Sequence, residues 1–260
     1  MRRTFTALLG AAVMVALVFG SLLASSATAT TEPGYNNLNT VPSMVNGKPD
    51  EDTYSQDFEG FPFGGQIETV NTNSRLVKSL TTQLDVFACE HGVYSLENCF
   101  TQRPNKKFAQ EWSAKVYEVG AGNEPGAQIA ESTATFKLKF RPSTNVGCPA
   151  TSEGKGFGAN CDVGGYLQQV TFKKFTQTIP APAKVIVLLN CKGCETNIVN
   201  VGLQSAYKEF AGGEFVSQPP ENGGKPALGS DPLPEQVYYA GKLTGTEWKE
   251  FQPVFELVMK

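Results

Sequence analysis

The sequence predicts an all-β protein: a single antiparallel two-sheet sandwich, jelly-roll-like or immunoglobulin-like, stapled by local disulfides. Three observations predict it. Short runs in which apolar and polar residues alternate recur along the chain, and 26 Gly and 16 Pro separate them. No convincing helix joins one run to the next. Many short strands without crossover helices favour antiparallel sheets over a parallel α/β arrangement.

The runs predict individual strands. The clearest alternation places Phe136 and Leu138 on an inward face, with Thr135 and Lys137 on the outward face. The run from Lys184 to Leu189 is continuously apolar, which predicts a strand that is buried on both faces. In chain order we expect strands around residues 83–88, 112–116, 134–140, 170–172, 184–189, 199–203 and 251–259.

The first 29 residues have the features of a signal peptide. Arg2 and Arg3 precede an uncharged, mostly apolar run, which ends at the small-residue pattern Ala27-x-Ala29. A transmembrane anchor is the alternative, because the run approaches the length that spans a bilayer. The small residues and the cleavage pattern favour removal. We therefore expect a secreted, extracellular protein that has no membrane segment after signal cleavage.

Two further regions follow the signal peptide. Residues 30–55 are rich in Pro, Gly, Asn and acidic residues, so we expect a flexible N-terminal linker. Residues 56–260 form the expected sandwich domain. The acidic residues Asp50, Glu51, Asp52 and Asp57 lack the spacing of an EF-hand, and a solvated acidic arm explains them.

Six cysteines in an exported chain predict disulfides, because export brings them into an oxidising compartment. Local spacing favours three bonds within short segments of the chain. The third pair is a C-x-x-C after the apolar run, and a thioredoxin-like redox site is the alternative to a structural disulfide there. A redox C-x-x-C should begin a helix, but the residues that follow this one are poor helix formers. Zinc binding is a further alternative, with unsuitable spacing. The expected pairs are Cys89 with Cys99, Cys148 with Cys161, and Cys191 with Cys194.

The sequence offers few groups for catalysis. His91 is the single His, so a zinc site with two or three His is excluded, and no G-x-S-x-G motif is present. The net charge of −3 gives no footprint for nucleic-acid binding. We expect no catalytic residue, no metal and no cofactor. A carboxylate pair is the remaining route to a glycosidase, with Asp85, Glu111, Glu118 and Glu131 as candidates on or near strands.

Aromatic residues suggest a binding role. Trp112 shares a predicted face with Ala114 and Val116 and is expected in the core, whereas Tyr117 lies on the opposite face with Ser113 and Lys115. Flat aromatic rings beside polar groups can bind sugar rings. The candidate ligand-binding residues are Tyr94, Tyr117 and Tyr166.

The order of several short motifs resembles that of a group of uncharacterised secreted bacterial β-sandwich proteins with paired-Cys loops. The resemblance covers residues 56–260 and implies an extracellular β-sandwich; it supplies no catalytic residue. Residues 92–98 depart from the group, whose loop usually holds a Trp, and residues 191–194 stand where the group has a longer, Tyr-rich segment. The matching stretches are DFEG (57–60), FGGQI (63–67), DVFAC (85–89), VYEVGAGN (116–123), FRPS (140–143), NVGL (200–203) and FQPVF (251–255).

These features predict a secreted, non-enzymatic protein with a binding or cell-surface role. Carbohydrate binding is its sharper form, with an extracellular glycan or a cell-envelope component as the partner. An extracellular carboxylate-dependent glycosidase or lyase is one alternative, and a structural envelope protein is the other.

Overall fold

The structure is a computed structural model. In the part of the chain that it describes, the strands form two seven-stranded sheets and one small hairpin, and the pairings between them are antiparallel. It describes residues 31–38, 55–56, 62–70, 75–86, 88–92, 98–103, 105–151, 154–159, 161, 166–192, 214–218, 227–233, 236, 238–244 and 252–260. In chain order the strands are β1 (Glu32–Asn36), β2 (Ser55–Gln56), β3 (Phe63–Glu68), β4 (Val77–Val86), β5 (Lys107–Val119), β6 (Pro125–Lys139), β7 (Ala150–Thr151), β8 (Gly154–Lys155), β9 (Tyr166–Lys173), β10 (Thr176–Gln177), β11 (Lys184–Cys191), β12 (Glu214–Gln218), β13 (Tyr238–Tyr239), β14 (Lys242–Leu243), β15 (Gln252–Pro253) and β16 (Phe255–Met259).

In both sheets, strands that are neighbours in space are mostly distant in sequence. The first sheet follows the order β1-β16-β4-β12-β15, with β9 paired to β4 and β2 paired to β12. The second sheet follows the order β10-β6-β5-β11-β3-β13-β14. Strands β7 and β8 form the hairpin. The predicted all-β, two-sheet sandwich is confirmed.

The core lies between the inner faces of the two sheets. Both sheets contribute to one continuous hydrophobic cluster, which is the packing expected of a sandwich. The first sheet supplies Tyr35, Leu80, Leu84, Val86, Phe172, Phe255 and Leu257, and the second supplies Phe63, Ile67, Trp112, Val116, Leu138, Val185, Val187 and Leu189.

Alternation in the sequence predicts the inner faces correctly. Trp112, expected in the core, is fully buried. In β6, Leu138 is buried and Phe136 half-buried, whereas Lys137 is exposed. The ring of Phe136 contacts Phe172 edge-on, with the centroids 5.0 Å apart, and so packs one sheet against the other. The predicted strand at 199–203 lies outside the described residues.

The segment expected as a linker, residues 30–55, contributes a strand at its beginning. Residues 32–36 form β1, which pairs with β16, and Tyr35 is buried in the core. Pro33 and Gly34 made this segment resemble a linker. At the end of the sheet's strand order a Pro is tolerated, because its missing N–H interrupts fewer ladder hydrogen bonds there.

One side of the sandwich is closed where β6 and β9, from different sheets, come together. The Ser132 hydroxyl donates to the backbone oxygen of Lys173 (2.6 Å). The Gln168 side-chain amide pairs with the backbone of Lys139: its Oε1 accepts from the N–H (2.7 Å), and its Nε2 donates to the C=O (3.0 Å). These bonds occupy backbone groups that an open sheet edge would expose.

The opposite side is closed by a crossing segment, residues 227–231, which we call the strap. Leu228 exchanges two backbone hydrogen bonds with Asn36 of the first sheet (2.9 and 3.1 Å), and Ser230 does the same with Glu68 of the second (2.8 and 2.9 Å). Between them, Gly229 has a φ of +82°. A Cβ there would lie 2.5 Å from the Glu68 oxygen and 2.8 Å from the Tyr35 ring. Only glycine fits this crossing.

Two disulfides lie at one end of the sandwich, which we call the disulfide end. Cys89–Cys99 lies in the connection from β4 to β5, and Cys148–Cys161 in the connection from β6 to β9. Both connections pass from one sheet to the other, and both pairings were predicted. The two connections also bond to each other, since the N–H of Thr144 donates to the Cys99 oxygen (2.9 Å).

The third predicted pair is described on one side only. Cys191 is disulfide-bonded, which excludes it as a thiolate ligand for zinc. Cys194 lies outside the described residues.

Substitutions in β6 test the strand and its inward face. Leu138→Ala should lower the free energy of unfolding by about 2–5 kcal/mol, because it removes a buried side chain from the core. Lys137→Ala, its control on the outward face, should change it by less than about 0.5 kcal/mol. Phe136→Ala should lie between the two, since its ring is half-buried. Denaturant unfolding with the disulfides intact measures all three, and equal losses for Leu138 and Lys137 would contradict the strand assignment.

Candidate ligand-binding groove

The outer face of the second sheet carries a small apolar cluster of its own. In β11, Ile186 and Leu188 point away from the core and pack with Tyr238 of β13. Tyr117, Val119 and Leu243 pack against these three residues. Residues 185–189 of the predicted strand are therefore buried on both faces, as the sequence predicts, whereas Lys184 at its start is exposed.

A glycine lets this cluster form across the intervening strand. Gly64 of β3 pairs with Leu188 on one side and with Tyr238 on the other. A Cβ at Gly64 would lie only 1.8 Å from the backbone oxygen of Val187. With no side chain at this position, the Tyr238 ring reaches Leu188 across β3.

The hydroxyl of Tyr238 fixes the ring at its far end. It lies within hydrogen-bond distance of Gln66 Oε1 (3.2 Å) and of the backbone oxygen of Asn123. Asn123 ends a short 3₁₀ turn, Ala121–Asn123, between β5 and β6. Burial raises the pKa of Tyr238, and nearby Glu124 and Asp231 raise it further.

Beside this cluster lies a groove of about 220 Å³. Sites for drug-sized ligands typically measure about 300–1,000 Å³, so this groove suits one ring-sized unit of a ligand. Strands β5 and β11 supply its central residues, and turns at the strand ends supply the others. Its lining consists of Pro62, Ser113, Lys115, Tyr117, Pro125, Leu188, Asn190 and Gly241.

The lining combines apolar surface with polar groups in a defined arrangement. Lys115 Nζ lies 3.6 Å from Glu131 Oε1 on the neighbouring strand, and Gln128 Nε2 donates to the other oxygen of Glu131 (3.2 Å). Lys115 and Glu131 each keep more than a third of their side-chain surface exposed. Burial raises the pKa of Tyr117, so its phenol is neutral at physiological pH.

Asn190, one of the lining residues, carries an unsatisfied polar atom behind the groove surface. Its Oδ1 is buried, and no described residue donates a hydrogen bond to it. A buried acceptor without a donor typically costs about 1–3 kcal/mol. A ligand that carries a hydroxyl or N–H donor would relieve that cost.

The structure separates the predicted aromatic residues. Tyr117 lies in the groove, on the outward face with Ser113 and Lys115, as predicted. Tyr166 lies at the disulfide end, where Lys139 Nζ is 5.8 Å from its ring centroid. Lys139 pairs with Lys107, ten residues from Tyr117 along β5, so the two tyrosines are about 33 Å apart along the strands. They belong to different surfaces, and Tyr94 lies outside the described residues.

The candidate carboxylates do not converge on the groove. Glu111 Oε1 binds Lys192 Nζ at 2.8 Å, a contact that raises the pKa of Lys192. Glu131 pairs across the strands with Lys115, four residues from Glu111, so the backbones of Glu111 and Glu131 are offset by about 13 Å along the strands, and each carboxylate contacts a different lysine. Glycosidases hold theirs about 5–9.5 Å apart. Asp85 lies in β4 of the other sheet, and Glu118 near the end of β5.

His91 and its neighbour Glu90 stabilise the disulfide end. His91 is mostly exposed and stacks on Phe100, with the ring centroids 6.2 Å apart. Glu90 accepts hydrogen bonds from the Lys106 ammonium (2.5 Å) and from the N–H of Gln102 (2.9 Å). The Lys106 hydrogen bond holds the pKa of the Glu90 carboxyl below its usual range. In the described ranges no group of three or more His, Cys, Asp or Glu could hold a metal ion.

Sequence patterns find only part of this site. The alternation in β5 predicts that Ser113, Lys115 and Tyr117 share a face. Leu188 and Asn190 join them through the pairing of β11 with β5, which the sequence does not specify. The available signal is a polar Asn two residues after Leu188, where the apolar run would otherwise continue.

Comparisons of the chain with protein-family models, with curated proteins and with solved structures find no match. Across the described ranges no helix has the length and apolar character that crossing a bilayer requires.

A partly buried carboxylate, that of Asp231, lies at the end of the strap. Asp231 is half-buried, and burial raises its pKa to about 6, although its Oδ1 accepts a hydrogen bond from the N–H of Leu233 (2.9 Å). The folded state therefore holds a proton that the unfolded state releases near pH 4. The free energy of unfolding falls as the pH rises from about 4 to about 6.

Asp231→Asn tests this pH dependence. The amide keeps an acceptor for Leu233 but carries no charge, so the variant should be more stable than wild type at pH 7.5. We expect a gain of about 1–2 kcal/mol, less than the full shift implies because the side chain is partly exposed. The two proteins should converge near pH 4. Urea unfolding across this pH range measures it, and parallel curves would contradict the raised pKa.

Proposed function

We propose that this protein is a secreted, non-enzymatic binding protein that holds one sugar unit of an extracellular glycan or cell-envelope polysaccharide in its groove. The observation that carries the proposal is the combination of Tyr117, Leu188 and two prolines with the polar groups of Ser113, Lys115 and Asn190. A sugar has the same dual character, with C–H faces and hydroxyl edges. We also propose that the chain is related to the group of secreted bacterial β-sandwich proteins whose motifs residues 56–260 resemble.

The groove suits binding better than catalysis. A glycosidase needs an acid and a second carboxylate on either side of the scissile bond. Lys115 and Glu131 form an ion pair beside the groove, and Glu111 is occupied by Lys192. Tyr117 is held by the apolar cluster around Ile186 and Leu188, so it offers a fixed surface to a ligand. A fixed ring loses little freedom when a ligand binds, which favours affinity.

Glycan binding by a Tyr117 variant tests the function. The exported protein is first screened on immobilised neutral and acidic polysaccharides, and affinities for the binders are then measured by calorimetry. Tyr117→Ala should weaken binding at least about tenfold, which corresponds to about 1.4 kcal/mol of lost contact. Tyr166→Ala is the matched control on a different surface and should bind as wild type does.

Three outcomes would contradict the proposal. The wild type could bind no polysaccharide, or Tyr117→Ala could bind unchanged while remaining folded. Shortening of the polysaccharide during the assay would instead support the glycosidase alternative. Circular dichroism of each variant shows whether a loss of binding reflects a loss of fold.

Export is the second part of the proposal. The charged start, the apolar run and the pattern Ala27-x-Ala29 support cleavage after Ala29. The disulfides at Cys89–Cys99 and Cys148–Cys161 suit an oxidising compartment. Cleavage there leaves β1 whole, since that strand begins at Glu32.

Intact-mass measurement tests export. Protein from the medium or the envelope fraction should have the mass of a chain that begins near Thr30. A mass that retains residues 1–29, or protein confined to the cytoplasm with reduced cysteines, would contradict it.

A further inference from the structure

We propose that the groove selects an uncharged sugar ring with two adjacent hydroxyls, and that Lys115 and Glu131 bind those hydroxyls as a pair. This inference rests on the proposed function, because it names the ligand class of the same groove. It goes beyond that function by excluding acidic sugars.

The charges around the groove argue against an acidic ligand. Lys115 is the single cation among the described lining residues, and Glu131 lies 3.6 Å from it. A second carboxylate, Glu124, is close enough to raise the pKa of Tyr238, and it precedes Pro125 of the lining. Lys242 follows Gly241 of the lining as Glu124 precedes Pro125, so these two flanking charges balance. Lys115 is compensated by Glu131, so a uronate or a sulfated sugar finds no uncompensated cation in the described lining.

The hydrogen-bonding groups of Lys115 and Glu131 match a pair of adjacent hydroxyls. An ammonium only donates hydrogen bonds and a carboxylate only accepts them, whereas a hydroxyl does both. The Lys115–Glu131 separation of 3.6 Å exceeds hydrogen-bond length, so both groups retain capacity for a ligand. One hydroxyl can accept from Lys115 Nζ while its neighbour on the ring donates to Glu131 Oε1. Gln128 holds the carboxylate in place through its other oxygen.

Asn190 offers an acceptor for a further hydroxyl of the ligand. Its buried Oδ1 requires a donor, which no described residue provides. The terminal torsion of Asn is broad, so a small rotation turns this oxygen toward the groove. A further hydroxyl of the ring then donates to it, while the C–H face packs against Tyr117 and Leu188. A neutral polyol ring satisfies all of these groups at once.

Glu131→Gln gives the sharpest test, because it changes the affinity in opposite directions for the two ligand classes. The variant keeps the size of the side chain, removes its negative charge and leaves Lys115 uncompensated. Glu111→Gln is the matched control, since it breaks the analogous pair with Lys192 about 13 Å away on the same face. The probes are neutral gluco-, manno- and galacto-oligosaccharides and oligouronates of equal length, at about 0.02 M and about 0.5 M salt.

We expect the affinity for neutral oligosaccharides to change less than about twofold between the two salt concentrations. Glu131→Gln should weaken that binding at least about fivefold, and Glu111→Gln should leave it unchanged. Preference of the wild-type protein for oligouronates over neutral oligosaccharides, with an affinity that falls with salt, would overturn the inference. The proposed function would survive that result if binding still needed Tyr117. Binding of no oligosaccharide, or binding independent of Tyr117, would overturn both.

Discussion

The two-sided burial of β11 is the constraint on which the rest of the structure depends. Val185, Val187 and Leu189 fill the core between the sheets, while Ile186 and Leu188 face the other way and also need cover. A strand inside a two-sheet sandwich normally has one wet face, so this chain must build a second apolar layer outside its second sheet. Tyr238 and Tyr117 supply that layer. The groove lies at the layer's margin, where Leu188 meets polar side chains.

The same constraint explains why a glycine stands at position 64, where an added Cβ would lie 1.8 Å from the backbone oxygen of Val187. Cover for Leu188 must come from β13, and β3 stands between the two strands. Any side chain on Gly64 would collide with the backbone of β11 and fill the space across which Tyr238 reaches. Gly64 therefore serves two purposes: it allows β3 to pair closely with β11, and it leaves room for Tyr238 to pack on Leu188 outside the second sheet.

The features of the fold that can be predicted from the sequence are those that depend on residues close together in the chain. Alternation within β5 and β6, the double burial of β11 and the two described disulfides all depend on residues close in sequence, and all were predicted. Strand β1 was missed, because Pro33 and Gly34 resemble a linker unless their partner in β16 is known. Of the residues that line the groove, the sequence predicts only that Tyr117, Ser113 and Lys115 share one face of a strand. Leu188 and Asn190 lie about seventy residues further along the chain and join them through the pairing of β11 with β5, which no local pattern specifies.

The pairing of β1 with β16 has a consequence for the order in which the molecule assembles. Glu32 lies opposite Met259, and the Asn36 side chain donates to Glu256, a contact between residues 220 positions apart. Strand β16 also lies between β1 and β4, so the first sheet stays divided until β16 is in place. Strands β1 and β4 are complete by residue 86, whereas β16 spans Phe255–Met259. During synthesis from the N-terminus the gap between β1 and β4 therefore stays open until residues 255–259 have been made, and a pairing of such long sequence separation forms slowly.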